Sequence, residues 1–216
     1  MKKIGVMLSG CGVFDGAEIH EATLTLLAID QLGVQAVCMA PDMEFDVVNH
    51  LNQQATGERR NVLVESARIA RGVIQNVKDV KSQDIDALIF PGGFGAAKNL
   101  SDFAIKGAEA AVNSEVQRLL NEMFSAQKPI GAICIAPATI AKALSQRQIT
   151  VTIGNDADTA QAIEQTGAKH SQCKVEDICI DDINNIITTP AYMLGPGIKD
   201  IAKGIHKLVE EIVRRA

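Results

Sequence analysis

At 216 residues, with 47% hydrophobic and 22% charged positions, the chain is large and apolar enough to bury the core of one α/β domain spanning residues 1–216, and its balance excludes the low-hydrophobicity signature of disorder. A net charge of -5 without a Lys/Arg cluster argues against a nucleic-acid partner, and no apolar run approaches the ~18 residues of a membrane helix. The five cysteines, at 11, 38, 134, 173 and 179, are odd in number and lack CxxC spacing, so neither a disulfide framework nor a metal site is indicated. Reduced thiols point to a cytoplasmic protein. The opening Met1 to Cys11 imitates a lipoprotein export signal, but its apolar stretch falls short of the ~7–15 uninterrupted residues such a signal needs and reads as a first buried strand.

Ile4–Leu8 is a short apolar strand ending in glycines. Asp15–Leu32 follows as a helix closed by Gly33, with Asp15 and Glu18 in a capping arrangement. Gln35–Met39 is the second strand, ended by Pro41-Asp42. Asp46–Gly57 is ambiguous, with a helical reading, and Asn61–Arg71 is a helix closed by Gly72. The apolar run Asp86–Phe90 stops at Pro91-Gly92-Gly93. A helix over Asn113–Gln127 leads through Pro129 to the strand Ile130–Ile133 and then to a helix over Ile135–Leu144. Ile149–Ile153 is a strand and Asp158–Thr166 a helix with Asp158 as its cap. Ile178–Ile180 and Asn185–Thr189 form a hairpin, and Gly197–Arg214 is an amphipathic helix.

Apolar strands alternating with helices indicate a three-layer α/β sandwich, a mostly parallel sheet covered on both faces in the flavodoxin-like manner. Ligands of such sheets sit at the carboxyl ends of the strands, which singles out residues 9–21, 91–99 and 134–137. At the last of these, Cys134 ends one element and begins the next. A buried cysteine is usually inert packing, but on a strand-turn-helix elbow the free N–H groups and partial positive charge of the helix start favour a thiolate, predicting a lowered pKa. Beside such a nucleophile, the N–H groups of Gly93 and Ile135 are candidates for an oxyanion hole, with Gly92 allowing close approach of a substrate. Cys11 lies on the same side of the sheet. The loop Gly10–Gly16 also resembles a dinucleotide-binding turn, but the acid available for a ribose, Asp42, lies beyond Pro41, and the cysteine elbow explains more of the chain.

The elbow around Cys134, with Pro91-Gly92-Gly93-Phe94-Gly95-Ala96-Ala97-Lys98-Asn99-Leu100, resembles the ThiJ/PfpI superfamily of the class I glutamine amidotransferase-like fold. The stretches Ser9–Glu21 and Thr188–Leu194 resemble its ElbB branch, the isoprenoid biosynthesis glyoxalases. The resemblance spans essentially the whole chain. It implies a glutamate from the first helix as the partner of the cysteine, twelve residues before the glycine that ends the helix, which is Glu21 rather than Glu18. Many relatives also carry a histidine after the strand that follows the cysteine helix. Here Val151–Asp156 contains none, which leaves Asp156 as the candidate third member, while His20 reads as a supporting or surface group.

By that resemblance the chain is expected to be a cofactor-independent lyase, a glyoxalase turning glyoxal into glycolate, with methylglyoxal to lactate as the parallel reaction. A small dicarbonyl is then its partner, in a homodimer, with no metal or glutathione. The alternatives are a redox-sensing or chaperone-like protein using the same thiol, and a protein deglycase. A glutaminase needs a His-x-Glu pair that the region of Thr189-Pro190-Ala191 does not supply.

Overall fold

The computed structural model describes residues 1–216. In chain order the strands and helices are β1 (Lys3–Met7), α1 (Ile19–Gln31), β2 (Gln35–Ala40), β3 (Glu44–Asn49), β4 (Gln54–Asn61), α2 (Val62–Ile69), β5 (Gln75–Asn76), β6 (Ala87–Phe90), α3 (Phe94–Lys98) and α4 (Phe103–Lys106). They continue with α5 (Ser114–Ser125), β7 (Ile130–Ile133), α6 (Ala136–Ala143), β8 (Thr150–Val151), α7 (Ala157–Gln165), β9 (Lys169–His170), β10 (Cys179–Asp181), β11 (Ile186–Thr189) and α8 (Ile198–Arg215).

Seven strands form one sheet in the order β10-β11-β7-β6-β1-β2-β5, and every neighbouring pair is parallel except β10 with β11. The alternation of side chains along each strand separates two cores. Met7, Leu88, Phe90 and Ile130 join the core beneath α5 and α6, whereas Ile4, Val6, Ile89 and Ile133 join the core beneath α1 and α8. Both faces are therefore covered, which is why the central strands are apolar at every position. β6 and β7 pair directly, so Pro91-Gly92-Gly93 and Cys134 emerge side by side at the carboxyl edge.

Three local expectations change. Asp46–Gly57 is not helical, since β3 and β4 form an antiparallel hairpin standing apart from the main sheet. Its turn is closed by asparagines, with Asn49 Oδ1 accepting the Leu51 N–H at 2.9 Å and Asn52 Oδ1 accepting the Gln54 N–H at 3.1 Å. Helix α1 starts at Ile19 rather than Asp15, and Glu18 is itself the cap, accepting the Glu21 N–H at 2.7 Å. Asp15 is drawn to the hairpin, where it accepts the Val48 N–H at 2.8 Å. The expected strand over Ile149–Ile153 contracts to β8, which pairs with β9 in a separate parallel ribbon.

Candidate active site

Cys134 follows β7 with a φ of 62°, a left-handed conformation that a non-glycine residue adopts at a cost of roughly 1–2 kcal/mol. Two features hold it there. Its N–H donates to Thr189 O at 2.9 Å, fixing the elbow to the end of β11, and α6 begins at Ala136 with Pro137 in its first turn, where a missing N–H costs nothing. The elbow lifts the side chain out of the strand into the core face shared with α1 and α8, leaving Cys134 only 8% exposed.

Glu21 approaches from the first turn of α1 and is 0% exposed. Its carboxyl is held from two sides by backbone: the Gly92 N–H donates to Oε2 at 3.0 Å and the Tyr192 N–H donates to Oε1 at 3.2 Å. The Cys134 side chain lies beside it, since a Cβ added to Gly92 would meet both Cys134 Cβ and Glu21 Oε2. Burial is the main reason its pKa rises to about 8, and the nearby Glu18 carboxylate adds to the rise; the Tyr192 N–H, the thiol and the Gly92 N–H act against it. A carboxyl that changes protonation near neutrality thus lies against a nucleophile.

The thiol departs from the expectation of a lowered pKa. Burial pushes Cys134 up, and the Glu21 carboxylate pushes it further, while the N–H groups of Gly93 and Ile135 pull the other way. The favourable helix start is present, but it is outweighed by desolvation and by the acid beside it. Proton loss from the site is therefore a property of the pair.

The N–H groups of Gly93 and Ile135, expected to face a substrate oxygen, favour the charged form of the sulfur itself. Gly92, expected to let a substrate approach closely, has its N–H taken by Glu21. What Gly92 contributes is the lack of a side chain: a Cβ there would overlap Cys134 Cβ and come within 2.5 Å of Glu21 Oε2. Gly93, at φ 91°, similarly lets the loop press on Gly16 and Glu18, where the Glu18 N–H donates to Gly92 O at 2.9 Å.

Asp156 does not join the pair. It is exposed and caps α7, accepting the Thr159 N–H at 2.8 Å, and the Thr159 side chain together with that N–H holds its carboxyl below the usual range. The cap expected of Asp158 thus falls to Asp156, and the third candidate role is lost to an ordinary helix start. Cys11 is half-buried, and its thiol is pushed up by burial first and then by the Glu65 and Asp15 carboxylates.

Tyr192 and His50 make contacts that the sequence pattern leaves unmarked. Tyr192, the chain's single tyrosine, supplies a backbone donor to Glu21 and a hydroxyl to His20 Nδ1 at 2.8 Å; its place in the Thr188–Leu194 stretch was the available signal. His50, at the tip of the hairpin, accepts the Phe14 N–H at 3.3 Å, a contact that no sequence pattern announces.

The structure is similar to that of an isoprenoid biosynthesis protein with an amidotransferase-like domain from Ehrlichia chaffeensis, at 35% identity and a TM-score of 0.93, covering 100% of this chain and 99% of that one. The sheet, its covering helices and this likeness give the chain the class I glutamine amidotransferase-like fold. In sequence it is 44% identical to the human glutamine amidotransferase-like class 1 domain-containing protein 3, mitochondrial, over 98% of this chain and 82% of the human one. It is 42% identical to the rat ES1 protein homolog, mitochondrial, over 98% of this chain and 83% of the rat protein. These mitochondrial relatives overturn the expectation of a cytoplasmic protein, because the number and spacing of cysteines do not tell one compartment from another. The DJ-1/PfpI family matches residues 12–192, a span that takes in Glu21, Gly92, Cys134 and Tyr192, and the chain belongs to that family.

Proposed function

We propose that the chain is a glyoxalase that needs no glutathione, with Cys134 as nucleophile and Glu21 as the group that moves protons. The observation that carries this reading is the Glu21 carboxyl, fully buried against the thiol, pinned by two backbone amides and titrating at about 8. A proton shuttle between adjacent carbons works best when its pKa lies near the working pH, and an ordinary surface glutamate at ~4.3 would be too weak a base.

The chemistry balances with these groups alone. Ionised Glu21 takes the thiol proton as sulfur adds to one aldehyde of glyoxal, and the N–H groups of Gly93 and Ile135 hold the charge on sulfur until the C–S bond forms. Glu21 passes that proton to the new alkoxide, giving a hemithioacetal and restoring the carboxylate. It then removes the hydrogen from the sulfur-bearing carbon and delivers a proton to the neighbouring carbon through an enediol, leaving a thioester of glycolate. Water cleaves the thioester, releasing glycolate and the thiol. Methylglyoxal by the same path gives lactate.

The redox-sensor alternative fits less well. Peroxide oxidation needs an accessible thiolate, whereas this thiol is 8% exposed and pushed toward its protonated form. The test is product analysis of purified protein with glyoxal or methylglyoxal and no added cofactor. Glycolate or lactate is expected, with deuterium on the new carbon–hydrogen bond in deuterated water because a carboxyl proton exchanges with solvent. Absence of the hydroxy acid sinks the proposal.

A further inference from the structure

The turn after β11 is attached to both members of the pair. Thr189 O accepts the Cys134 N–H at 2.9 Å, and three residues later the Tyr192 N–H donates to Glu21 Oε1 at 3.2 Å. Between them Ala191 takes a φ of 40°, so the turn is bent into a conformation that alanine disfavours and that needs an outside hold. The same segment makes one side-chain bond back to α1: the Tyr192 hydroxyl and His20 Nδ1 lie 2.8 Å apart, with the rings at 5.9 Å and tilted by 50°. His20 immediately precedes Glu21, so this bond ties the turn to the helix residue next to the one whose carboxyl it must meet.

We propose that the His20–Tyr192 hydrogen bond is a clamp holding the 189–193 turn onto α1, which makes His20 and Tyr192 positioning residues for the Glu21–Cys134 pair. The inference deepens the glyoxalase reading and rests on it for its catalytic meaning. The charged and titratable groups around the clamp are few. Glu18 Oε1 lies 3.9 Å from His20 Nδ1, and the Tyr192 hydroxyl is pushed up by burial first and then by the Glu18 and Glu21 charges. Around Glu21 itself stand Glu18 and the Cys134 thiol. The Tyr192 amide is the turn's direct contact with the carboxyl, and it favours the ionised form. Loosening the turn removes that donor and makes proton loss from the pair harder.

The readout is the pH dependence of Cys134 alkylation by iodoacetamide, followed by peptide mapping so that the other four cysteines are counted separately. It needs no dicarbonyl turnover. Loss of one hydrogen bond at the pair predicts that His20→Ala and Tyr192→Phe each move the acid limb upward by roughly half to one pH unit. The double variant should move it no further than either single one, because both remove the same bond. His20→Asn, whose amide can occupy the place of Nδ1, should restore the wild-type limb. Unmoved limbs in both single variants overturn the clamp, as does a downward shift, the sign of a turn that merely shields Glu21 from water. Additive shifts in the double variant overturn it too. Turnover of glyoxal by the wild-type protein is measured alongside: moved limbs without turnover sink the glyoxalase reading and leave the clamp, whereas turnover with unmoved limbs sinks the clamp alone.

Discussion

Gly92 donates its N–H to Glu21 Oε2 at 3.0 Å while its own α-carbon lies so near Cys134 that an added Cβ would overlap the cysteine's Cβ. One residue therefore sets the acid's position by its donor and the nucleophile's position by its lack of a side chain. It ties two functions to a loop that in isolation reads as a strand terminator.

Gly92→Ala tests that dependence. The new methyl group must displace the Cys134 side chain, the Glu21 carboxyl or the loop, and an ångström of misplacement in a reacting pair costs on the order of 10²-fold. Turnover of glyoxal should fall by at least that order while the far-ultraviolet circular dichroism is retained. Wild-type turnover in the alanine variant would show that the pair does not need this fit.

Cys134→Ser and Glu21→Gln separate nucleophile from proton shuttle. A serine hydroxyl is too weakly acidic for Glu21 to ionise, so Cys134→Ser should have no measurable turnover. Glu21→Gln keeps size and acceptor but cannot move a proton, and should lose ~10²–10⁴-fold. Glu18→Gln should keep most of its turnover. It retains an oxygen for the Glu21 N–H, now bonded at 2.7 Å, and removes a negative charge that raises the Glu21 pKa. The acid limb of its rate profile should therefore move downward. If Glu18→Gln were the inactive variant, the carboxyl facing the thiol would have been misassigned.

The activity of the wild-type protein should itself rise with pH through about 8 as the pair loses its first proton. A profile of initial rates from pH 5.5 to 9 checks this. A flat profile across that interval would mean that the base is already ionised and that burial does not govern Glu21.

What the sequence discloses is what local pattern determines. The runs ending at Phe90 and Ile133 are apolar at every position because both faces of the sheet are covered, so the strands and the elbow at Cys134 can be read directly. Glu21 needed a family resemblance, since nothing in the Ile19–Gln31 pattern tells a buried acid from a solvated one. The hairpin over 44–61 escaped because it lies off the main sheet: Phe45 is buried, but β4 is exposed along nearly its whole length and lacks an alternating face. The Cys134 pKa went the other way from expectation because a helix start is visible in sequence, whereas a carboxylate brought from over a hundred residues away, and the loss of water around both groups, are products of the fold. Asp156 shows the converse: an acid at an interesting position in the chain is consumed by the nearest helix.

The pH dependence of stability gives a prediction that needs no substrate. In the folded protein Glu21 holds its proton until about 8, against an ordinary value of 4.5 in the unfolded chain, so the native state binds this proton more tightly than the denatured state does. The resulting stabilisation is fully present below pH 4.5. Above that value the unfolded chain gains by ionising while the folded one cannot, and the contribution drains away until the pH passes through about 8. Each unit of difference corresponds to about 1.4 kcal/mol, so the loss over the interval amounts to several times that figure. Glutamine at this position does not titrate. Denaturant midpoints of wild-type and Glu21→Gln protein, measured at pH 4.5, 6, 7 and 8.5, should therefore diverge in one direction, with the variant gaining on the wild type as pH rises and the gap levelling off above about 8. Parallel curves would mean that Glu21 ionises in the folded protein as it does in the unfolded one. That result would remove the physical basis for giving it the proton-transfer role.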